Sequence, residues 1–158
     1  MQLRPLRRNE RDLVVGFFNG LSADSRYQRF LQPMPRLPEA YLRQLVDVDG
    51  CRHVAVVAIV DGECVGMARY IALPDEPGAA EVEVTVTDRY QGRGIGELLV
   101  TTCLDRARAA RKRRVVISTG SRMTAAQRLY ERLGFVRLPE RDWTPAPGID
   151  LLVYARDL

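Results

Sequence analysis

The feature that most constrains this chain is a glycine-rich stretch at residues 91–96, Gln-Gly-Arg-Gly-Ile-Gly. Before it, residues 81–87 alternate as Glu-Val-Glu-Val-Thr-Val-Thr, which predicts a β-strand. After it, apolar side chains such as Ile95, Leu99 and Cys103 recur at helical spacing. A strand that turns directly into a helix leaves free backbone N–H groups and the positive end of the helix dipole at the turn. The sequence therefore predicts an anion site there, most often one for phosphate.

Two familiar phosphate motifs do not fit this stretch. A P-loop ends in Gly-Lys-Ser or Gly-Lys-Thr, and no such sequence occurs here. The dinucleotide-binding motif is G-x-G-x-x-G, whereas the glycines at 92, 94 and 96 are followed by Glu97. Taken alone, the stretch is also compatible with an ordinary tight turn between a strand and a helix, so the rest of the chain must decide.

Size and composition favour one globular domain spanning residues 1–158. No apolar run reaches about 18 residues, and the basic N-terminus lacks the apolar segment of a secretion signal. The three cysteines have no metal-type spacing, so we expect reduced thiols, no metal site and a cytoplasmic protein. The net charge is +4, and its densest cluster, Arg111-Lys112-Arg113-Arg114, falls where a helix should end. We interpret that cluster as helix-dipole complementation rather than a nucleic-acid surface.

The remaining pattern predicts strands and helices in mixed order. Asn9 and Ser22 are candidate N-caps of two early helices, and Asp61-Gly62 is a hairpin turn. Predicted strands lie at 3–6, 54–60, 65–73, 79–87, 115–119, 135–138 and 149–155, and predicted helices near 9–21, 22–30, 41–46, 94–111 and 123–133. The strand at 115–119 follows a crossover helix, so it should run parallel to the strand at 79–87. Residues 139–148 are expected to form a proline-rich loop.

A second motif completes a family resemblance. Residues 126–135 read Ala-Gln-Arg-Leu-Tyr-Glu-Arg-Leu-Gly-Phe, which resembles the A-x-x-L-Y-x-x-x-G-F signature of the GNAT superfamily of acetyl-CoA-dependent N-acetyltransferases. The stretch 91–96 resembles the pyrophosphate loop of the same superfamily, Q/R-x-x-G-x-G/A. The likeness covers roughly residues 50–138. Residues 25–30, Ser-Arg-Tyr-Gln-Arg-Phe, additionally resemble a short stretch of bacterial protein-lysine acetyltransferase domains.

The resemblance implies a fold and a cofactor site. The expected fold is a mixed α/β (α+β) one: a mostly antiparallel sheet of about six or seven strands with a splayed parallel pair, flanked by about four helices. The strand edge should bind the pantetheine arm of acetyl-CoA, and the glycine loop should bind its pyrophosphate. The residues implied are Val84, Thr85, Val86, Gly92, Arg93, Gly94, Ile95, Gly96 and Glu97. In the superfamily, a bulge in this strand helps to open its edge, and Arg89 is a further candidate contact.

The resemblance also implies catalytic residues. Tyr130 matches the tyrosine that faces the cofactor sulfur, where a phenol can protonate the leaving thiolate. Allowing one residue of bulge in the strand, Glu81 lies where the histone-type and bacterial protein-lysine enzymes carry the glutamate that acts as general base. Glu83 lies on the same face of the strand. Two nearby carboxylates raise the pKa of at least one of them, which suits a general base working near neutral pH. Glu83, or a chain of water molecules without a single base, is therefore an alternative to Glu81 in this role. His53, the only histidine, is expected to be structural.

The acceptor is the open part of this interpretation. A protein lysine and a small-molecule amine are both compatible with the sequence, and Tyr27, Arg29 and Trp143 are candidate residues near the acceptor. The superfamily often has Asn where this chain has Met123, so a non-catalytic acyl-CoA-binding regulatory module is an alternative function. Thr124, beside it, is predicted to cap the following helix. The expected partners are acetyl-CoA and an amine, with no nucleic acid and no membrane, and the chain is expected to be a monomer or homodimer.

Overall fold

A computed structural model describes all residues, 1–158, as five helices and eight strands. The helices are α1 (Arg11–Asn19), α2 (Ala23–Phe30), α3 (Glu39–Val46), α4 (Ile95–Ala109) and α5 (Thr124–Arg132). The strands are β1 (Gln2–Pro5), β2 (His53–Val60), β3 (Glu63–Ala72), β4 (Ala79–Val86), β5 (Arg114–Gly120), β6 (Val136–Arg137), β7 (Trp143–Ala146) and β8 (Ile149–Asp157). Single 3₁₀ turns lie at Asp88–Tyr90 and Pro139–Arg141.

The strands form one sheet with a single parallel pair. Its order is β1-β2-β3-β4-β5-β8-β6, and β7 also pairs with β8. Every adjacent pair is antiparallel except β4 and β5, which are joined by the crossover helix α4. Their pairing ends at Glu81 and Val116, and beyond that point the two strands diverge. The predicted fold class is therefore confirmed, with eight strands and five helices rather than about six or seven and four.

Two apolar cores lie on opposite faces of the sheet. One face packs against α4 through residues such as Val82, Leu99 and Ile117, and Tyr130 of α5 belongs to the same core. The other face packs against α1 and α3 through residues such as Val57 and Phe17. Because successive side chains of β4 alternate between faces, its valines face α4 and its two glutamates face the side of α1 and α2.

Local signals placed most turns correctly. Asp61 and Gly62 have φ angles of 51° and 80°, as a two-residue hairpin requires. Ser22 caps α2, since its side chain accepts from Ser25 N at 3.1 Å. The cap predicted at Asn9 is wrong: Glu10 holds that position and instead binds Arg7 N and Arg4, so its carboxylate is not available to cap the first turn.

Three further expectations differ from the structure. The β3–β4 ladder runs in continuous register, so the bulge expected in β4 is absent and divergence from β5 alone opens the edge. Residues 139–148 are not a plain loop, because Trp143–Ala146 pairs with β8. Thr124 does not cap α5: it is the first helical residue, and Met123 holds the cap position without a side-chain hydrogen bond.

The basic cluster after α4 is largely engaged with the protein itself. Lys112 Nζ donates to Pro77 O at 2.8 Å, and Arg114 pairs with Asp157 at 2.9 Å. Both partners lie outside α4, so the helix-dipole interpretation of the cluster stays a prediction. No group of three or more His, Cys, Asp or Glu side chains is placed to hold a metal ion. None of the helices combines the length and the apolar composition needed to cross a bilayer.

Candidate functional site

The divergence of β4 from β5 opens a cleft of about 920 Å³. Its walls come from the diverging strands, the first turn of α4, α5, the end of α2 and the tip of β7. The residues predicted from sequence that line it are Glu81, Glu83, Val84, Thr85, Val86, Gly92, Gly94, Ile95, Gly96, Glu97 and Tyr130. The structure therefore brings all but one of the predicted binding and catalytic residues, Arg93, to a single cavity.

The glycine loop presents a row of unused backbone donors to this cleft. The N–H groups of residues 92–97 make no hydrogen bond within the chain, because helical bonding begins with Leu98 N to Gly94 O at 3.2 Å. Gly92 and Gly94 have φ angles of 73° and 82°, which a residue with a Cβ adopts only with strain. A Cβ at either position would meet no protein atom within 4 Å. The loop is thus open to a ligand and carries the partial positive charge of the α4 N-terminus.

Side chains around the loop fix its position. Gln91 Nε2 donates to Val86 O at 3.0 Å and ties the loop to the end of β4. The guanidinium groups of Arg89 and Arg93 lie 5.8 and 5.0 Å from the centre of the Tyr90 ring. Neither arginine lines the cleft, although the backbone of residue 93 belongs to the row of free donors. The Arg93 side chain packs over Tyr90 outside the cleft, and its charge-assisted contact with a ligand stays a prediction.

Three arginines that sequence reasoning missed line the cleft. They are Arg122, which precedes α5, and Arg128 and Arg132, which lie in α5. Arg132 lies 3.7 Å from the carboxylate of Glu97, which it partly neutralises next to the predicted anion site. The spacing of Arg128 and Arg132, four residues apart, was the available signal, since such residues share one helix face. Arg132 and the free N–H groups thus add positive charge at the glycine-loop end of the cleft.

The edge of β4 supplies a second set of backbone groups. Thr87 N donates to Val65 O at 2.9 Å. Because hydrogen-bonded and non-hydrogen-bonded pairs alternate along an antiparallel ladder, the backbone N–H and C=O groups of the odd-numbered residues of β4 point towards β3. Even-numbered residues then turn their N–H and C=O groups towards β5. Because pairing with β5 ends at Glu81, the backbone of Val84 has no strand partner on that side. Thr85 differs from the expectation, since its backbone faces β3 and only its side chain reaches the cleft.

Tyr130 lies between the cleft and the core. It is 4% exposed, and its ring packs 5.9 Å from Phe135 and 6.1 Å from Tyr154, measured between ring centroids. Its hydroxyl donates to no protein group, although it lines the cleft. Burial raises the pKa of the Tyr130 hydroxyl above its ordinary value, because the phenolate is poorly solvated there. The group is therefore a protonated phenol over the whole neutral range.

The two glutamates of β4 have different surroundings. Glu83 accepts from Arg29 Nη2 and from Arg69 Nη1, each at 2.8 Å. Glu81 is half-buried, lines the cleft and has no hydrogen-bond partner. Burial first, and then the charge of Glu83, raise the pKa of Glu81 above its ordinary value. A free carboxylate with a raised pKa is suited to accept a proton near neutral pH, whereas a carboxylate held by two arginines is not.

The N-terminal helices form the opposite wall. Asp88, just after β4, accepts from Ser22 N, Ser22 Oγ and Ser25 Oγ at 2.9, 2.7 and 3.0 Å, and so fixes the start of α2. Arg29 lines the cleft near the end of α2, but Tyr27 lies outside it. His53 is structural, since its Nδ1 bonds Asp47 O at 2.7 Å.

Two further side chains close the remaining sides. Trp143 lines the cleft from β7, is half exposed, and donates from Nε1 to Ser118 Oγ at 3.3 Å. It is thus a wall residue anchored to β5. Met123 also lines the cleft, and its sulfur lies 3.7 Å from Thr119 Oγ1. Met123 therefore packs across the end of β5 and cannot supply amide hydrogen bonds to a ligand.

Comparison with known sequences places this geometry in context. The profile of the family described as "Acetyltransferase (GNAT) family" matches residues 16–135. The chain is 38% identical over 138 residues to "Acetyltransferase PA5475" of Pseudomonas aeruginosa, a match that covers 85% of this chain and 74% of that protein. Residues 16–135 contain the glycine loop and both predicted catalytic residues, whereas Trp143 and Leu151 of the cleft lie beyond them.

Solved structures show the same fold. The GNAT domain of S. lividans PAT superposes with a TM-score of 0.84 at 24% identity, covering 99% of this chain and 89% of that one. The yncA protein of Salmonella typhimurium, whose structure contains its cofactor acetyl-CoA, superposes with a TM-score of 0.75 at 20% identity. That match covers 100% of this chain and 94% of yncA. At these identities the likeness concerns the fold.

Proposed function

Because the chain belongs to the GNAT family of acetyltransferases, we propose that it transfers the acetyl group of acetyl-CoA to a primary amine by direct attack. The observation that carries the proposal is the row of free N–H groups at residues 92–97, which opens into the same cleft as Glu81 and Tyr130. An anion site and a proton acceptor in one cavity are what amine acetylation from a nucleotide thioester requires. The acetyl-CoA of yncA supports this choice of donor.

The residues present fit acetyl-CoA at several points. The backbone donors of the glycine loop suit a pyrophosphate, Arg132 adds positive charge beside it, and Arg122 and Arg128 add positive charge to the cleft. The free backbone edge at Val84 suits the amide groups of a pantetheine arm, which would add to β4 as an extra strand. Bound there, acetyl-CoA supplies an activated acetyl group as a thioester.

Glu81 would prepare the amine for attack. An amine is protonated at neutral pH, so its ammonium must lose a proton before the nitrogen can form a bond to the acetyl carbon. Glu81 has a raised pKa and no competing partner, and we assign it this proton. Glu83 is not assigned the role, because Arg29 and Arg69 already hold its carboxylate.

Tyr130 would complete the proton balance. As the new C–N bond forms, the C–S bond breaks, and the sulfur departs as a thiolate that needs a proton. A buried phenol with a hydroxyl that makes no hydrogen bond to the protein can donate that proton at neutral pH. The nitrogen loses a second proton after it has bonded to the acetyl carbon, and this proton returns to the phenol through solvent in the cleft. Glu81 then releases the first proton to solvent, so one proton is released per acetyl group transferred.

The acceptor is proposed as a primary amine, and two chemical classes require a test. Thiol release from acetyl-CoA would be measured with small amines, such as L-aspartate and spermidine, and separately with lysine-containing peptides. Binding is measured independently by thermal unfolding, since a ligand at 100 times its Kd stabilises the folded state by about 2.7 kcal/mol. We expect a midpoint increase of several degrees with acetyl-CoA, and turnover with one acceptor class.

Matched variants assign the roles. Glu81→Gln and Tyr130→Phe should each lower kcat by about 100-fold or more while the thermal shift with acetyl-CoA persists. Tyr154→Phe is the control for Tyr130→Phe, because Tyr154 is equally buried in the same core but does not line the cleft. Absence of any thermal shift with acetyl-CoA or CoA would contradict the donor assignment. A persistent shift without turnover on any amine would favour the regulatory acyl-CoA-binding module instead.

A further inference from the structure

A chain of polar contacts runs behind the proposed base and links four elements. The Oε2 atom of Glu83 accepts from Arg29 of α2 and from Arg69 of β3. Arg69 Nε donates in turn to Nε2 of His53, at 3.1 Å, so the proton of that imidazole lies on Nδ1 and is donated to Asp47 O. Burial and the charge of Arg69 lower the pKa of His53, which agrees with a neutral ring. Glu83 is the carboxylate that the two arginine side chains share, while the carboxylate of Asp49 accepts from the backbone N of His53.

Glu81 is the other carboxylate on this face, two residues away along β4. The charged groups that act on it are Glu83 from its own strand, Arg69 from β3, Arg29 from α2 and Arg141 from the turn after β6. Three of these four groups are cations, yet none of them forms an ion pair with Glu81. Arg29 and Arg69 point to Glu83, and Arg141 pairs with Glu76 at 3.1 Å.

We propose that Glu83 is a positioning residue that holds Arg29 and Arg69 away from Glu81 and thereby keeps the Glu81 carboxylate free to accept a proton. The same contact ties the end of α2, which lines the cleft, to the strand that carries Glu81. The inference rests on the proposed role of Glu81. It also gives a reason for a glutamate pair on one strand face, where two like charges would otherwise destabilise each other.

The test is a change in the titration of Glu81 when its neighbours are altered. Glu83→Gln removes the Glu83 charge, which by itself lowers the pKa of Glu81, and it also frees the two guanidinium groups to turn towards Glu81. The part due to the arginines is the additional fall relative to the same substitution made in an Arg29→Met/Arg69→Met background. An opposite charge within about 4–6 Å lowers a carboxyl pKa by about one to three units. We therefore expect the pKa of Glu81 to fall by about one unit or more. Carbon-13 NMR titration of labelled glutamate side chains measures it directly, with Glu81→Gln to assign the signal.

Two further variants separate this role from simple structural support. Asp88→Asn is the matched control, because Asp88 also fastens α2 to the region after β4 but is not among the charges acting on Glu81. It should loosen α2 without changing the pKa of Glu81. Arg69→Met removes one cation and should move that pKa upwards, opposite to Glu83→Gln. The opposed directions keep the test decisive even if one variant folds poorly.

Two outcomes would overturn the inference. One is a Glu81 titration in Glu83→Gln that shows no additional fall relative to the Arg29→Met/Arg69→Met background, and the other is an equal downward shift in Asp88→Asn. The titration needs no acceptor and no turnover, so its result is independent of whether the chain acetylates an amine. If Glu81→Gln retained full turnover while the titration behaved as expected, the proposed base would be wrong and the charge arrangement around Glu81 would still stand.

Discussion

Replacing Gly94 by alanine tests the anion site at its most exposed point. Gly94 precedes α4 with a φ angle of 82°, and an alanine in this left-handed conformation costs about 1 kcal/mol. For a chain of this length that cost lowers the midpoint of thermal unfolding by roughly 2–4 °C. The fold itself should tolerate the new methyl group, because no protein atom lies within 4 Å of an added Cβ.

Ligand binding should suffer far more than stability. Gly94 lines the cleft within the row of free N–H groups, so we expect the methyl group to obstruct the approach of a ligand to them. Hydrogen bonds to a charged group contribute about 1.5–3 kcal/mol each, and loss of one corresponds to roughly a 10- to 100-fold weaker Kd. We therefore expect Gly94→Ala to weaken acetyl-CoA binding by at least about 10-fold, measured by isothermal titration calorimetry.

Gly148→Ala provides a closely matched control. Gly148 has a φ angle of 80°, and its Cβ would likewise meet no atom within 4 Å, but it lies in the β7–β8 turn and does not line the cleft. Both variants should lose a similar amount of stability, and only Gly94→Ala should lose affinity. Equal affinity of the two variants for acetyl-CoA would refute the assignment of the pyrophosphate to this loop.

Three other substitutions test the site and its supports. The folded-state pKa of Glu81 is raised, so the stability that its protonated form contributes is complete below the unfolded pKa and is lost as pH rises through the folded pKa. Glu81→Gln should therefore be at least as stable as the parent at pH 8. Chemical denaturation should show that this difference in the free energy of unfolding vanishes near pH 4. Gly66→Ala would place a Cβ 2.9 Å from Leu99 and 3.1 Å from Ile95. It should lower the free energy of unfolding in urea by about 1–3 kcal/mol and weaken acetyl-CoA binding by shifting α4. Unchanged stability would contradict this packing. Met123→Asn places a good capping residue at the start of α5, where no side chain caps the helix, and should raise the free energy of unfolding by about 0.5–1 kcal/mol. A lower free energy of unfolding would mean that the packing of Met123 against Thr119 stabilises the fold more than the cap does.

Local signals in the sequence predicted much of the fold. The alternation at residues 81–87 and the glycines that follow it predicted β4, the turn and α4, because each property depends only on neighbouring residues. The Asp61-Gly62 turn and the Ser22 cap were found for the same reason. The failures at Asn9 and Thr124 are also local, since several cap-forming residues lie near each helix start and small differences in backbone geometry select among them.

The candidate site could be predicted only in outline. The family motifs indicated Glu81 and Tyr130, and the structure brings both to one cleft. The same motifs could not separate Glu81 from Glu83, since both lie on one strand face. The separation comes from Arg29, which lies 54 residues away along the chain and reaches Glu83 only because α2 folds against β4.

The sequence alone determined the helices, every strand except β7, the glycine loop and the polar face of β4, because backbone conformation and periodicity follow from adjacent residues. Tertiary structure alone decided how β4 and β5 diverge, which arginines line the cleft and which carboxylate remains unpaired. The physical reason is that a long charged side chain can reach many partners, and its choice depends on which elements the two hydrophobic cores bring together. In this chain that choice leaves Glu81 free and engages Glu83.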